Sequence, residues 1–418
     1  MEKKKGNALP VVLFAVAGIA LIALVIMILM VLKVGPFAEG SAKEKERVLH
    51  TSANGIETMD NGYMRKDLSA SELTVLMGNG INLGNTMEAY GRISLGTEAP
   101  VSGYETFWSQ PVTTQEMITG MKNAGFDTLR IPVAWTNAMD YESGDYTIRE
   151  DYLNRVEEII NYALNENMYV VINDHWDGGW WGMFGSASDE TRQKAWDLYT
   201  SMWTQIAERY KEYSDYLIFE SANEELGNRL NDTDVAADSG ALSADECYEM
   251  TLKINQKFVD IVRGTGGNNE SRFLLIAGYN TDVDMTTDDR YIMPTDPANE
   301  VNKLILSVHY YTPWGYCGNE SLSLWGTKRN YGEMNSLLES LTKFTDQGYG
   351  VIIGEYGVLA KSDGTLKKNA ALYYKNFLDN CDLYNFCPLL WDCNNLYNRQ
   401  DCKIIDDEIA ALYKERAY

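Results

Sequence analysis

From residue 64 to the carboxyl end, short runs of bulky apolar residues alternate with longer stretches whose apolar positions recur every three or four residues. The runs predict strands over 75–83, 128–135, 169–175, 216–224, 273–280, 304–311, 350–357 and 386–392, each short, nearly continuous and bounded by polar residues or glycine. The helical spacing predicts helices over 150–167, 189–213, 245–263, 332–347 and 366–382. Eight strands alternating with helical stretches define an α/β chain, and the expected fold is a (β/α)8 TIM barrel over 64–418. No repeat of fixed period points to a solenoid. An open doubly wound sheet is the alternative, but Gly84-Asn85-Thr86 follows the first strand where that fold would carry a GxGxxG turn.

The amino terminus follows a different pattern. Residues 8–32 are almost wholly apolar and uncharged, long enough at about 1.5 Å per residue to span a bilayer. Lys3, Lys4 and Lys5 precede them, so the positive-inside rule places residues 1–7 in the cytoplasm and predicts a single-pass transmembrane helix. Residues 33–63 are polar and read as a stalk. The competing reading is a cleaved signal, cut near 37–42, that would release a secreted protein. Either way the folded domain lies outside the cell.

Composition narrows the partners. A formal net charge of −24 repels nucleic acids and other polyanions, so neutral ligands are favoured. Twenty-seven Tyr and ten Trp suit packing and flat ring faces alike. Of the six cysteines, four fall between Cys381 and Cys402, which allows one or two disulfides or a set of buried free thiols. No CxxC pair, HxH or HExxH spacing argues for a metal, and no cofactor is called for.

In a barrel of this kind the chemistry gathers at the carboxyl ends of the strands. Those ends carry Asn82, Arg130, His175, Asn223 with Glu224, Asn280, His309 with Tyr311, Glu355 and Trp391. Two carboxylates at strand ends suit cleavage of a glycosidic bond, with Glu224 long enough to protonate a leaving oxygen. Glu355 closes a run of β-branched residues between Gly354 and Gly357, where a carboxylate must be paired or functional. Arg130 is expected to keep Glu355 ionised while Glu224, close to that charge, keeps its proton. Asn223 could bond a sugar hydroxyl. Two of the three histidines, His175 and His309, stand at strand ends, which favours a site over a structural role. Trp176, Trp180, Trp181, Trp314, Trp325 and Trp391 follow strands, and Trp180, Trp181 and Trp325 are expected, with Trp391, to offer stacking faces to a sugar. No strand end offers a Lys for Schiff-base chemistry.

Seven segments, in order, carry a family resemblance: Gly80-Ile81-Asn82-Leu83-Gly84-Asn85-Thr86, Leu129-Arg130-Ile131-Pro132-Val133, Asn173-Asp174-His175, Asn223-Glu224, Val308-His309-Tyr310-Tyr311, Gly354-Glu355-Tyr356-Gly357 and Trp391-Asp392. Over about Met64 to the end, the chain resembles glycoside hydrolase family 5, and looks closest to its bacterial endoglucanase and xyloglucanase branch. The resemblance implies that Glu224 is the acid/base, that Glu355 is the nucleophile of a retaining mechanism, and that Arg130, His175, Asn223, His309, Tyr311 and Trp391 line the subsite at the cleaved bond. It implies a β-1,4-glucan as substrate, with xyloglucan, mixed-linkage glucan or mannan as alternatives, and a monomeric enzyme. Five positions depart from the family pattern: Ile81 and Trp176 replace a Trp and a His, Glu225 replaces a Pro, and Cys393-Asn394 replaces Asn-Gly. A non-catalytic carbohydrate-binding barrel is the competing class, and the presence of both glutamates speaks against it.

Overall fold

The computed structural model describes residues 50–51 and 57–417. The predicted cytoplasmic tail and membrane span, 1–32, lie outside these residues. Among the described residues no helix is long and apolar enough to cross a membrane.

Eight parallel strands close into a barrel: β1 (Gly80–Asn82), β2 (Thr128–Ile131), β3 (Tyr169–Ile172), β4 (Leu217–Glu220), β5 (Leu274–Ala277), β6 (Leu304–Tyr310), β7 (Gly350–Tyr356) and β8 (Cys387–Leu390). Each pairs with the next and β8 returns to β1 through Leu389 and Gly80. The helices that follow are α1 (Gln115–Asn123), α2 (Glu150–Asn165), α3 (Asp189–Tyr210), α4 (Ala244–Gly264), α5 (Val283–Thr287), α6 (Lys328–Ser340), α7 (Ala370–Tyr384) and α8 (Asp407–Glu415). The expected (β/α)8 barrel is therefore the fold.

Alternation along the strands divides the interior into two apolar layers. The larger lies between strands and helices and takes residues such as Leu129, Phe219, Val308, Ile353 and Tyr356. The smaller fills the barrel floor with Val171, Ile218, Leu275, Ile305, Ile352 and Leu389. Helix Ala70–Leu76 plugs that floor with Ala70 and Leu73, and Met77 follows at its end. This corrects the strand expected over 75–83. Ser69 and Glu72 form a reciprocal capping box that starts a helix, Val75 and Leu76 are its outer face, and the strand begins only at Gly80.

Of the stalk expected over 33–63, residues 50–51 and 57–63 are among those described. His50–Thr51 pairs with Glu57–Thr58, the Met59 N–H donates to Asn165, and the Asp60 carboxylate accepts from the Ser214 N–H at 2.8 Å. A polar segment gave no periodic signal for this docking, which rests on single hydrogen bonds. All six cysteines are free thiols, so of the two readings left open the free thiols hold.

Candidate active site

Above the apolar floor, the inward positions change character. Asn82, Arg130, Glu220 and Ser307 form a buried polar layer, one from each of β1, β2, β4 and β6. Arg130 is its centre. Its Nε donates to Glu220 Oε2 at 2.7 Å, Nη1 to Asn82 Oδ1 at 2.8 Å and to Glu355 Oε1 at 3.0 Å, and Nη2 to Asn223 Oδ1 at 2.9 Å. One planar guanidinium thus fixes a carboxylate and two carboxamides around the nucleophile position. Ser307 Oγ donates to the other oxygen of Glu220, and the Asn82 amide donates to the Gly354 carbonyl at 2.9 Å.

Glu355 reaches this layer through an irregularity. Simple alternation along β7 would send it outward, because Ile352 faces the floor and Ile353 the helices. A bulge at Gly354 shifts the register against β6, so that Val308 pairs with Ile353 but His309 pairs with Glu355. A Cβ on Gly354 would lie 2.9 Å from Ser307 Oγ and 3.2 Å from His309 Nε2, so the bulge needs glycine there.

The reacting groups stand on this support. His309 Nδ1 lies 2.9 Å from Glu224 Oε1 and 3.6 Å from Glu355 Oε2, and Tyr311 Oη donates to Glu355 Oε2 at 2.9 Å. One oxygen of each carboxylate and a nitrogen of His309 lie within 4.8 Å of one another. Glu224 is the more open, its side chain 32% exposed against 7% for Glu355. Arg229, at 3.8 Å from Glu224, adds a positive charge at the rim.

Electrostatics in the empty cleft run against the expected order of protonation. Burial alone would raise Glu224, but the hydrogen bond and charge of His309, with Arg229 and Arg130, outweigh it and hold the carboxyl below its usual range. Burial raises Glu355, and the Glu224 charge adds to it, against opposition from His309, Arg130 and the Tyr311 hydroxyl. His309 loses to burial but gains more from the two carboxylates, and its pKa rises. These shifts favour a proton on His309 over one on Glu224. His175 is pushed well below its usual value by burial and by Arg130, and stays neutral.

Trp391 forms the adjoining wall. Its indole lies nearly parallel to His175 with ring centroids 5.6 Å apart, and the Trp391 backbone N–H donates to the Tyr356 carbonyl. A Cβ on Gly84 would meet Asp392 O at 2.7 Å and the indole at 3.1 Å, so glycine lets the first and last strand-end loops close on each other. Asp392 holds the turn beyond by accepting the backbone N–H groups of Asn394, Leu396 and Tyr397. Glu225 ties two further loops together, accepting from Trp176 N and Asn223 N at 2.8 Å each.

The expected substrate contacts thus divide into three sets. Asn223, His175, His309, Tyr311 and Trp391 surround the two glutamates, and Arg130 leaves the Asn223 amide nitrogen free to donate to a ligand. Asn82 and Arg130 are completely buried, with Arg130 bonded to Asn82, Glu355 and Asn223. Trp180, Trp181 and Trp325 are 0%, 1% and 1% exposed, packed against Phe184, Tyr199 and Tyr373, and have no face to offer. That corrects the reading of them as platforms: a Trp in a strand-end loop can turn inward when other aromatics receive it. Asn280 sits at the rim in a left-handed conformation, its side-chain oxygen accepting from Asn228 N.

Glu220 and Arg229 were not anticipated. Glu220 was detectable, since it stands two positions after the inward Ile218 and shares its face of β4. Arg229 lies in an irregular loop and carried no signal.

Two carboxyl groups at this spacing, one backed by an arginine and a tyrosine and the other by a histidine, are the equipment of a double-displacement glycosidase. The comparisons make the class specific. The profile of cellulase, glycosyl hydrolase family 5, matches residues 93–396, and the chain belongs to this family. Endoglucanase A of Paenibacillus barcinonensis is 35% identical over 83% of this chain and 87% of its own length. A broad-specificity endoglucanase from Ruminococcus champanellensis, solved with bound cellotriose, superposes with a TM-score of 0.72 at 30% identity, covering 83% of this chain and 99% of that one. A Bacteroides ovatus xyloglucanase in complex with an XXXG heptasaccharide does so at 0.70 and 29% identity, over 85% and 78% of the two chains.

Proposed function

We propose that this chain is a retaining endo-β-1,4-glucanase, active on cellulose-type glucan and, as a second reading, on xyloglucan or mixed-linkage glucan. The observation that supports the mechanism is the closeness of the two acids: one oxygen of each carboxylate and one nitrogen of His309 lie within 4.8 Å of one another. Inverting enzymes hold their carboxyl groups about 6.5–9.5 Å apart to seat a water, whereas a direct nucleophile needs about 5–5.5 Å. The second reading rests on the xyloglucanase among the similar structures.

In this mechanism Glu355 attacks the anomeric carbon, oriented by Arg130 Nη1 and Tyr311 Oη. A sugar entering the cleft strips water from the half-open Glu224, which raises its proton affinity, and the proton passes along the 2.9 Å hydrogen bond from His309 Nδ1 to Glu224 Oε1 and on to the leaving oxygen. Glu224, now ionised, then activates the water that releases the glycosyl-enzyme. Asn223 donates to the sugar and Trp391 supplies an apolar face beneath it.

The apolar run 8–32 with its preceding lysines supports a membrane-anchored enzyme facing outward, acting as a monomer on soluble glucan near the cell surface. The test of the chemistry is Glu355→Gln assayed on barley glucan, carboxymethylcellulose and xyloglucan, with proton NMR of the first products of the wild type. Retained β-configuration and loss of at least about 10³-fold in kcat for the variant are expected. An inverted first product, or an active Glu355→Gln, overturns the assignment.

A further inference from the structure

We infer that Glu225 positions the acid/base Glu224: its buried carboxyl clamps the turn that carries Glu224 to the loop that carries His175, and so aims Glu224 at the leaving oxygen. This rests on the glycanase reading above. β4 ends at Glu220, and the chain's last bond to the sheet runs from the Ser221 N–H to the Leu275 carbonyl at 3.0 Å. Among the described residues, the next backbone-to-backbone bond of this segment is at Leu226, whose carbonyl accepts from the Asn280 N–H. Glu224 therefore stands on a span between two anchors, where side chains must supply what the sheet no longer does. Arg130 Nη2 holds the Asn223 carboxamide. Glu225 Oε2 accepts from the Asn223 N–H at 2.8 Å, which closes a tight ring around the Glu224 backbone, and its Oε1 accepts from the Trp176 N–H, also at 2.8 Å. Asn223 and Glu225 are buried, at 4% and 1% exposed, and the Glu224 side chain between them is the one open to the cleft.

The far end of the clamp is itself fixed. Trp176 and Asp177 are both left-handed, with φ of 51° and 48°, a conformation that is costly for residues with a Cβ and persists only where the surroundings enforce it. On the β2 side the Asp177 carboxylate accepts from the Thr136 N–H at 3.0 Å and from its hydroxyl at 2.6 Å, and the His175 N–H donates to the Val133 carbonyl at 2.9 Å. Glu225 supplies the bond from the β4 side. A turn already tied to β2 thus serves as the abutment against which the carboxyl of Glu225 holds the Asn223–Glu224 backbone. Two departures from the family pattern, Trp176 and Glu225, meet at this bond. Proline, which that pattern carries at 225, has no side-chain acceptor to span the gap, so the clamp belongs to this chain.

The experiment compares two aryl β-cellobiosides on the full chain. Dinitrophenolate leaves without a proton, whereas phenolate needs one from Glu224, and kcat/KM reports the bond-cleaving step for both. Glu225→Gln keeps one acceptor and turns an NH2 towards the other N–H; Glu225→Ala removes both acceptors. Assays at about pH 5 find Glu225 still protonated, since burial pushes it up to about 7, so the Gln variant leaves the charge unchanged. On phenyl β-cellobioside kcat/KM is expected to fall about tenfold for Glu225→Gln and further for Glu225→Ala, while on 2,4-dinitrophenyl β-cellobioside it stays within about threefold of wild type. A merely structural role would lower the amount of folded enzyme and so both activities alike. Equal losses on the two substrates, or none on the phenyl glycoside, would overturn the assignment. The ratio is taken within one preparation, so partial misfolding does not alter it, and Glu225→Gln decides the matter if Glu225→Ala fails to fold. Wild-type protein inert on both substrates would instead refute the glycanase reading itself.

Discussion

Arg130→Lys isolates what the buried guanidinium contributes. The charge is kept, so neither Glu220 nor Glu355 is left facing an uncharged neighbour. What changes is the number and direction of donors. Arg130 presents donors from three nitrogens to four acceptors at 2.7–3.0 Å, on Glu220, Asn82, Glu355 and Asn223. A lysine ammonium has three N–H groups on one atom and cannot reach four acceptors arrayed around a plane. At least one buried oxygen loses its partner, at a cost of about 1–3 kcal/mol. Asn223 and Glu355 hang on the two outer nitrogens, so the loss falls on catalytic geometry as well as on stability. Urea denaturation followed by tryptophan fluorescence should show a lower midpoint at unchanged slope. On a soluble β-glucan, kcat should fall about 10²-fold with KM altered far less, because positioning of a nucleophile is felt mainly in the transition state. Arg130→Met, which strands two buried carboxylates, should lose about 3–5 kcal/mol. If Arg130→Lys matched wild type in both midpoint and kcat, the four-way clamp would not be what orients Glu355.

Two further outcomes concern protons. His309→Asn removes the group that holds Glu224 down and opposes the rise of Glu355, so the rate profile should narrow from both sides: the acidic limb moves up as Glu355 gains proton affinity, and the basic limb moves down as the proton comes to rest on a carboxyl in place of an imidazole. Initial rates between pH 4 and 9 measure this, and an unshifted basic limb would contradict storage of the proton on His309. Glu225 is pushed up to about 7, chiefly by burial, and Glu88 likewise. The folded chain then holds these protons longer than the unfolded chain, so their contribution favours folding at low pH and is lost as pH rises from about 4.5 to 7, on the order of 3 kcal/mol per group. Glu225→Gln, which resembles the protonated state, should shrink the fall in urea midpoint between pH 5 and pH 8; an undiminished fall would mean that Glu225 titrates normally.

The parts of this molecule that could be read from its sequence are those set by periodicity. Strand runs located seven of the eight barrel strands closely, and their polar ends located Glu224, Glu355, Asn223, His309 and Tyr311. The remainder depended on quantities that periodicity does not encode. The first strand was extended backward over Val75 and Leu76 because apolar residues on the outer turn of a capped helix resemble the start of a strand. Trp180 and Trp181 stand in a loop after a strand, where packing and sugar stacking are both open to a Trp, yet each stacks on the other at 4.5 Å within an aromatic cluster. Trp314, in the same kind of loop, is 61% exposed.

Glu355 shows the other side of this. Alternation counted from Ile352 sends it away from the barrel interior, yet a carboxylate closing a buried strand must have a partner, wherever the pleat points it. The bulge at Gly354 then reconciles the two constraints. It also explains the glycine: a methyl group there would push on Ser307 and His309, the neighbours through which β6 reaches the two glutamates. Glu355 is thus brought to His309 and to the buried Arg130–Glu220 layer by one local break in strand register, and the site depends on that break as directly as on the carboxylates themselves.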